Sequence, residues 1–209
     1  MFRNLFRPDS PLMIVMTQIT DCIFLSLFWL LGCFPVVTAG ASFAALYDAT
    51  FRTFRQGERH SWQRFFHSFR QNLKAGILPG LFVLGVFGGA AWLLIQLWNN
   101  AAVGALSWTV FSGAAFFGVM MLGVLSVVLP MLSRFENGFL TLVKNSVFLA
   151  LANMPRTLVL GFLNAAVIFL CVRFVFPLFF LPSLAALIGS LLIEPMFRPY
   201  MNNEEDAAQ

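Results

Sequence analysis

Asp21 lies about nine positions into an apolar run that begins at Leu12. A carboxylate inside a helix long enough to cross a membrane is costly, and so is a functional candidate. Two readings are open for it: a group on a solute path, or the acidic half of an ion pair with Arg55 once the chain folds back near Thr38. Gln96 and Asn164 are the other strong polar groups in apolar stretches, and each either lines such a path or ties helices together by hydrogen bonds. Asp48 stands four residues before Arg52, and Glu194 four before Arg198, the order that favours a helical ion pair.

Other chemistries find little material. His60 and His67 are seven apart on a basic segment with no third ligand nearby, so a metal site is not expected. Cys22, Cys33 and Cys171 are odd in number, lie in apolar runs and show no C-x-x-C spacing, and they read as small buried hydrophobes. Three of the nine acids sit together at Glu204, Glu205 and Asp206, and no Ser-His-Asp, paired-carboxylate or G-x-x-x-x-G-K arrangement is present. The expectation is a protein that is not an enzyme and carries no cofactor.

The elements that must hold these residues are membrane helices. The 209 residues are 59% apolar and only 11% charged, with a mean hydropathy of +0.83, whereas soluble domains carry about a quarter charged residues. Runs suited to crossing a core of about 30 Å are 12–34, 75–98, 104–132, 157–172 and 175–193, with 36–52 as a further candidate. The prolines in "RFVFPLFFLP", residues 173–182, break a run too long for one helix. Asn99 and Asn100, flanked by Trp92, Trp98 and Trp108, form a polar turn with indoles at a membrane surface. The first run is too long for the apolar core of an ordinary secretory signal, and a retained helix is expected.

Two segments look amphipathic rather than spanning. In residues 57–74, Trp62, Phe65, Phe66, Phe69 and Leu73 recur at helical steps, while Arg59, Arg64, Arg70 and Lys74 fill much of the remainder. The pattern predicts a helix lying in the interface against anionic inner-leaflet lipids. Residues 137–155 carry Lys144, Asn145 and Asn153, stop at Pro155, and read as a second surface helix.

Charge then sets the topology, because lysines and arginines of short loops stay cytoplasmic. If 36–52 crosses, six spans with both termini cytoplasmic leave only Arg173 of the thirteen Lys and Arg residues outside. Five spans with an outer N-terminus put Arg3 and Arg7 outside as well. Seventeen residues reach only about 26 Å, so a re-entrant or half-crossing segment is the competing reading for 36–52. The expected fold is all-α: one polytopic membrane bundle over 1–200, with a polar acidic tail, 201–209, read as disordered. The net charge of +4 is explained by topology and lipid, and nucleic acid is excluded as a partner for lack of a soluble domain.

Gly76, Gly80, Gly85 and Gly89 include two G-x-x-x-G steps, and Ala114 and Gly118 give a related spacing, so close helix packing is expected there. "NLFRPDSPLM", "CFPVVTAGASFAALYDATFRTFRQGE", "FFHSFRQNLKAG" and "LVKNSVFLALANMPRTLVLG" together resemble the YesL family of bacterial membrane proteins, whose activity is not established. Pro-Val-Val-Thr-Ala-Gly at 35–40 is the most specific part, and Asp48 is more polar than the family pattern at that position. The resemblance implies the bacterial cytoplasmic membrane and a place beside carbohydrate uptake of the ABC type. Two functions compete: an accessory or assembly protein that binds sugar-transporter subunits, and a small-solute transporter or channel whose route passes Asp21, Gln96 and Asn164. No oligomeric state is indicated.

Overall fold

The computed structural model describes residues 11–58, 60–101, 105–133 and 138–207. The first helix, α1, spans Pro11–Cys33 and stops because the residue before Pro35 is disfavoured in helical geometry. A single 3-10 turn, Val36–Thr38, follows. The Thr38 hydroxyl lies 2.7 Å from the Gly32 carbonyl oxygen and 2.9 Å from that of Pro35, so it shares its proton between two groups the helix end leaves unpaired. That accounts for the threonine of the turn.

Helix α2, Ala39–Arg55, is rich in alanine, with glycine and serine, over its first half, and eleven of its seventeen residues are buried. Small side chains let its neighbours close in, and α2 touches α1 and each of three later helices: α3 (Ser61–Ala101), α4 (Ala105–Leu132) and α7 (Leu181–Ala207). Gly57, at φ +74°, reverses the chain after α2. The Gln56 and Glu58 N–H groups both return to the Arg52 carbonyl, in the manner of a glycine C-cap.

Helix α3 is continuous over 41 residues, about 60 Å at the usual rise. The expected interfacial helix at 57–74 is therefore corrected: from Ser61 it is the first part of α3 and runs straight on into the apolar stretch. Its inward stripe is Ser61, Phe65, Ser68 and Asn72. Asn72 keeps its amide satisfied by donating to the Ser68 carbonyl at 2.9 Å.

Two further helices complete the chain: α5 (Phe139–Ala152) and α6 (Met154–Arg173). They meet at a tight corner where the Thr157 hydroxyl donates to the Ala150 carbonyl at 2.7 Å and Pro155 opens α6. A second 3-10 turn, Phe176–Phe179, breaks the run before α7, at the prolines that predicted it. Helix α7 carries helical structure through Ala207, into the segment the sequence reads as a disordered tail.

Among the described residues the fold is all-helical. Four helices, α1, α3, α4 and α6, are long and apolar enough to cross a membrane, while α5 and the apolar part of α7 are shorter. This is a membrane protein. Its core gathers where Tyr47 of α2 meets Val127 and Met131 of α4, Leu149 of α5, Leu160 of α6 and Phe197 of α7.

Glycines fix two crossings. A methyl group on Gly40 would collide with the Gly76 carbonyl oxygen and come within 2.6 Å of the Gly80 Cα, so α2 and α3 touch backbone to backbone. Gly123 faces the Thr157 carbonyl and Gly161 the Val119 carbonyl in the same intimate way, joining α4 to α6. Gly76 and Gly80 thus pack as their spacing predicts. Gly85 and Gly89 make no close contact within the described fold, because a methyl group on either would find no other atom within 4 Å, whereas the spacing alone leaves open whether the contact is internal or with another protein.

Candidate functional site: a buried carboxylate and an apolar cavity

Asp48 projects from the middle of α2 into the α3 face, and its side chain is only 3% exposed. Arg52, one turn on, donates from Nε to Oδ1 at 2.9 Å, as the four-residue spacing predicts. Arg64 of α3 donates from Nε to Oδ2 at 2.8 Å. Arg52 also reaches Glu58 at 3.6 Å. Two guanidiniums and two carboxylates therefore balance around the α2–α3 turn, and the buried carboxylate has both oxygens held. This is how a residue too polar for its helix is tolerated.

Asp21 and Arg55 do not form the ion pair the sequence suggests. Asp21 accepts a hydrogen bond at 2.7 Å from the Ser61 hydroxyl at the start of α3. Arg55 instead donates to the Ser190 carbonyl of α7 at 3.2 Å and stacks its guanidinium over Phe51 at 5.3 Å. The half-buried aspartate is answered by a neutral donor, and the exposed arginine by a backbone carbonyl and a ring, so neither relies on the other.

The remaining sequence candidates separate by face. On the first turns of α3, Trp62 and Phe66 are exposed at 52% and 42%, Phe65 is buried, and Phe69 is half-buried with its ring stacked on that of Phe65 at 6.1 Å. Arg70 and Lys74 are exposed beside Phe66, away from the buried stripe. The helix thus has three faces: one packed on α2, one aromatic, one cationic. Arg59 lies outside the described residues. Gln96 is exposed near the far end of α3, where Trp98, Trp108 and Phe111 pack edge to face.

A cavity of about 360 Å³ opens between α3 and α4 on one side and α6 and α7 on the other, with α1 and α2 as its floor. Its wall is apolar, including Phe43, Phe87, Leu122, Val167 and Ile193, apart from a few polar groups. Asn164 is one of them, and it ties α6 to α4 by donating from Nδ2 to the Ser126 hydroxyl at 3.1 Å while also donating to the Leu160 carbonyl at 2.9 Å. The Trp29 ring also lines it, with its Nε1–H sealed away from the cavity and without a hydrogen-bond partner among the described residues. Of Asp21, Gln96 and Asn164, only Asn164 reaches this cavity.

Sequence reasoning missed Arg64, Ser61 and Ser126 as partners because each contact crosses between helices and has no fixed spacing. Gly40 carried a signal in the small-residue run after Thr38. Gly123 and Gly161 stand singly in apolar helices and carried none.

Residues 22–94 match the model of a family described as "Protein of unknown function, DUF624". The match takes in the second half of α1, all of α2 with its Asp48 cluster, and most of α3. No curated protein and no solved structure matches the chain.

Proposed function

We propose that this membrane protein, whose residues 22–94 carry the domain of the DUF624 family to which YesL proteins belong, has an accessory or assembly role in carbohydrate uptake. Its place would be beside sugar-transporter subunits of the ABC type in the bacterial cytoplasmic membrane. One observation carries the reading. From residue 81 to 99 of α3, and from 108 to 122 of α4, no side chain is buried by the chain's own fold. Gly85, Gly88 and Gly89 stand open on that surface, where backbones of another membrane helix can approach closely. The carbohydrate context comes from the YesL resemblance.

In this proposal α1, α2, α3, α4, α6 and α7 cross, both termini are cytoplasmic, and the cationic face of α3 meets anionic inner-leaflet lipids. The lysine and arginine distribution supports that orientation. Catalysis has no part in it.

Purification of the tagged protein from a mild detergent extract is expected to recover permease subunits, and Gly85→Leu or Gly89→Leu to lose them while the helical content stays intact. Recovery of the tagged chain alone in all three preparations counts against the proposal. A deletion strain grown on a panel of oligosaccharides then identifies the sugar. A solute transporter in its own right has less support, since Asp21 and Gln96 lie away from the cavity and its walls suit neither sugar nor ion.

A further inference from the structure

The cavity between the α3–α4 and α6–α7 pairs has features that go beyond a packing gap. Its volume of about 360 Å³ lies within the range of small-molecule sites, about 300–1,000 Å³. Its mouth is apolar: among the lining residues Phe43, Ile168 and Val172 are exposed at 38%, 36% and 83%. A lining this apolar offers a sugar or an ion no replacement for its hydration and suits an apolar occupant.

The polar groups in the wall are specific. Asn164 spends both its hydrogen bonds through Nδ2, and because that nitrogen must face the Leu160 carbonyl, Oδ1 is fixed as the other atom and has no partner among the described residues. An acceptor in an apolar wall selects for a donor, since a chain that cannot donate leaves the carbonyl oxygen desolvated and unmet.

We propose that this cavity binds a single apolar chain bearing one hydroxyl, of the long-chain alcohol class and drawn from the bilayer, with the hydroxyl donating to Asn164 Oδ1. The chain lies along Phe43, Phe87, Val167 and Ile168. Gly189 of α7 shapes the opposite wall: a methyl there would meet Leu160 and Ile193 at only 3.7 and 3.9 Å, ordinary contact distances. A Cβ at 189 is therefore accommodated, and a larger side chain built on it extends toward the cavity that Gly189 lines.

Decanol and its methyl ether, alike in length and differing in the hydroxyl proton, are the probes. Each is titrated into the full-length protein in detergent micelles, with the shift in thermal midpoint as the readout. Decanol is expected to stabilise saturably, and the ether to require about tenfold more, the equivalent of one hydrogen bond's worth of discrimination. Asn164→Leu is expected to erase the difference between the probes. Gly189→Leu leaves the Asn164–Ser126 tie in place and is expected to lose both responses while keeping wild-type helical content. No saturable response in the wild type, equal responses to the two probes, or an unchanged response in Gly189→Leu each overturns the proposal. Because none of these readouts involves a protein partner, failure here leaves the accessory role standing, and the converse also holds.

Discussion

At the scale of the residue, Asp48 is the side chain on which most depends. It is nearly inaccessible and holds one guanidinium from its own helix and one from the next. Asp48→Asn removes the charge that balances Arg52 and Arg64, and is expected to destabilise the protein by about 3 kcal/mol, read as a lowered unfolding midpoint in detergent. Arg64→Gln should cost less, since Asp48 keeps Arg52. Asp21 is predicted to behave otherwise. Its described partner is a serine hydroxyl, and an asparagine oxygen accepts that bond as well. Asp21→Asn should therefore shift the midpoint by less than about 1 kcal/mol. A loss as large as that of Asp48→Asn would mean that the Asp21 charge itself is used. The Asp48–Arg52 bond is legible in the sequence because both groups share a helix, whereas Arg64 sits across a turn that spacing rules do not cover.

At the scale of the element, the α2–α3 contact explains why helix α2 tolerates so little side chain. Its alanines and Gly40 form a surface on which Gly76 and Gly80 rest, with Pro79 buried between them. Gly40→Leu is expected to force the two helices apart and to prevent a stable fold, seen as aggregation on size-exclusion chromatography. Gly85→Ala, on the same helix as Gly76 but with open space around it, should be neutral or stabilise by about 0.5–1 kcal/mol through helix propensity. Both sites share the G-x-x-x-G pattern. The motif announces that close approach is available, and only the path of α2 decides which glycines are used. Similarly, the aromatic periodicity of 57–74 reads as one lipid-facing stripe, but the helix turns Phe65 inward with Ser61, Ser68 and Asn72, where Ser61 donates to Asp21 of α1 and Asn72 to Ser68, and leaves only Trp62 and Phe66 exposed.

At the scale of the whole molecule, the helical and membrane character is plain from hydropathy and from the scarcity of charge, because burial of backbone groups in lipid leaves few alternatives. The α6–α7 break is legible from its prolines. The cavity is not, since it is made by six separate helices whose apolar residues look alike in sequence. Orientation makes the broadest prediction. With a unique cysteine in place of His60, labelling by an impermeant maleimide is expected only from the cytoplasmic side, and with one in place of Asn99 only from the outside. The reverse pattern would overturn the charge-based orientation.

One further consequence comes from the unbroken length of α3. A cylinder twice as long as the hydrocarbon slab is thick has nowhere to conceal its surplus. Thin membranes lean it over and thick ones let it stand upright, so the height of Trp62 and Arg70 above the lipid tails rises and falls with the bilayer around them.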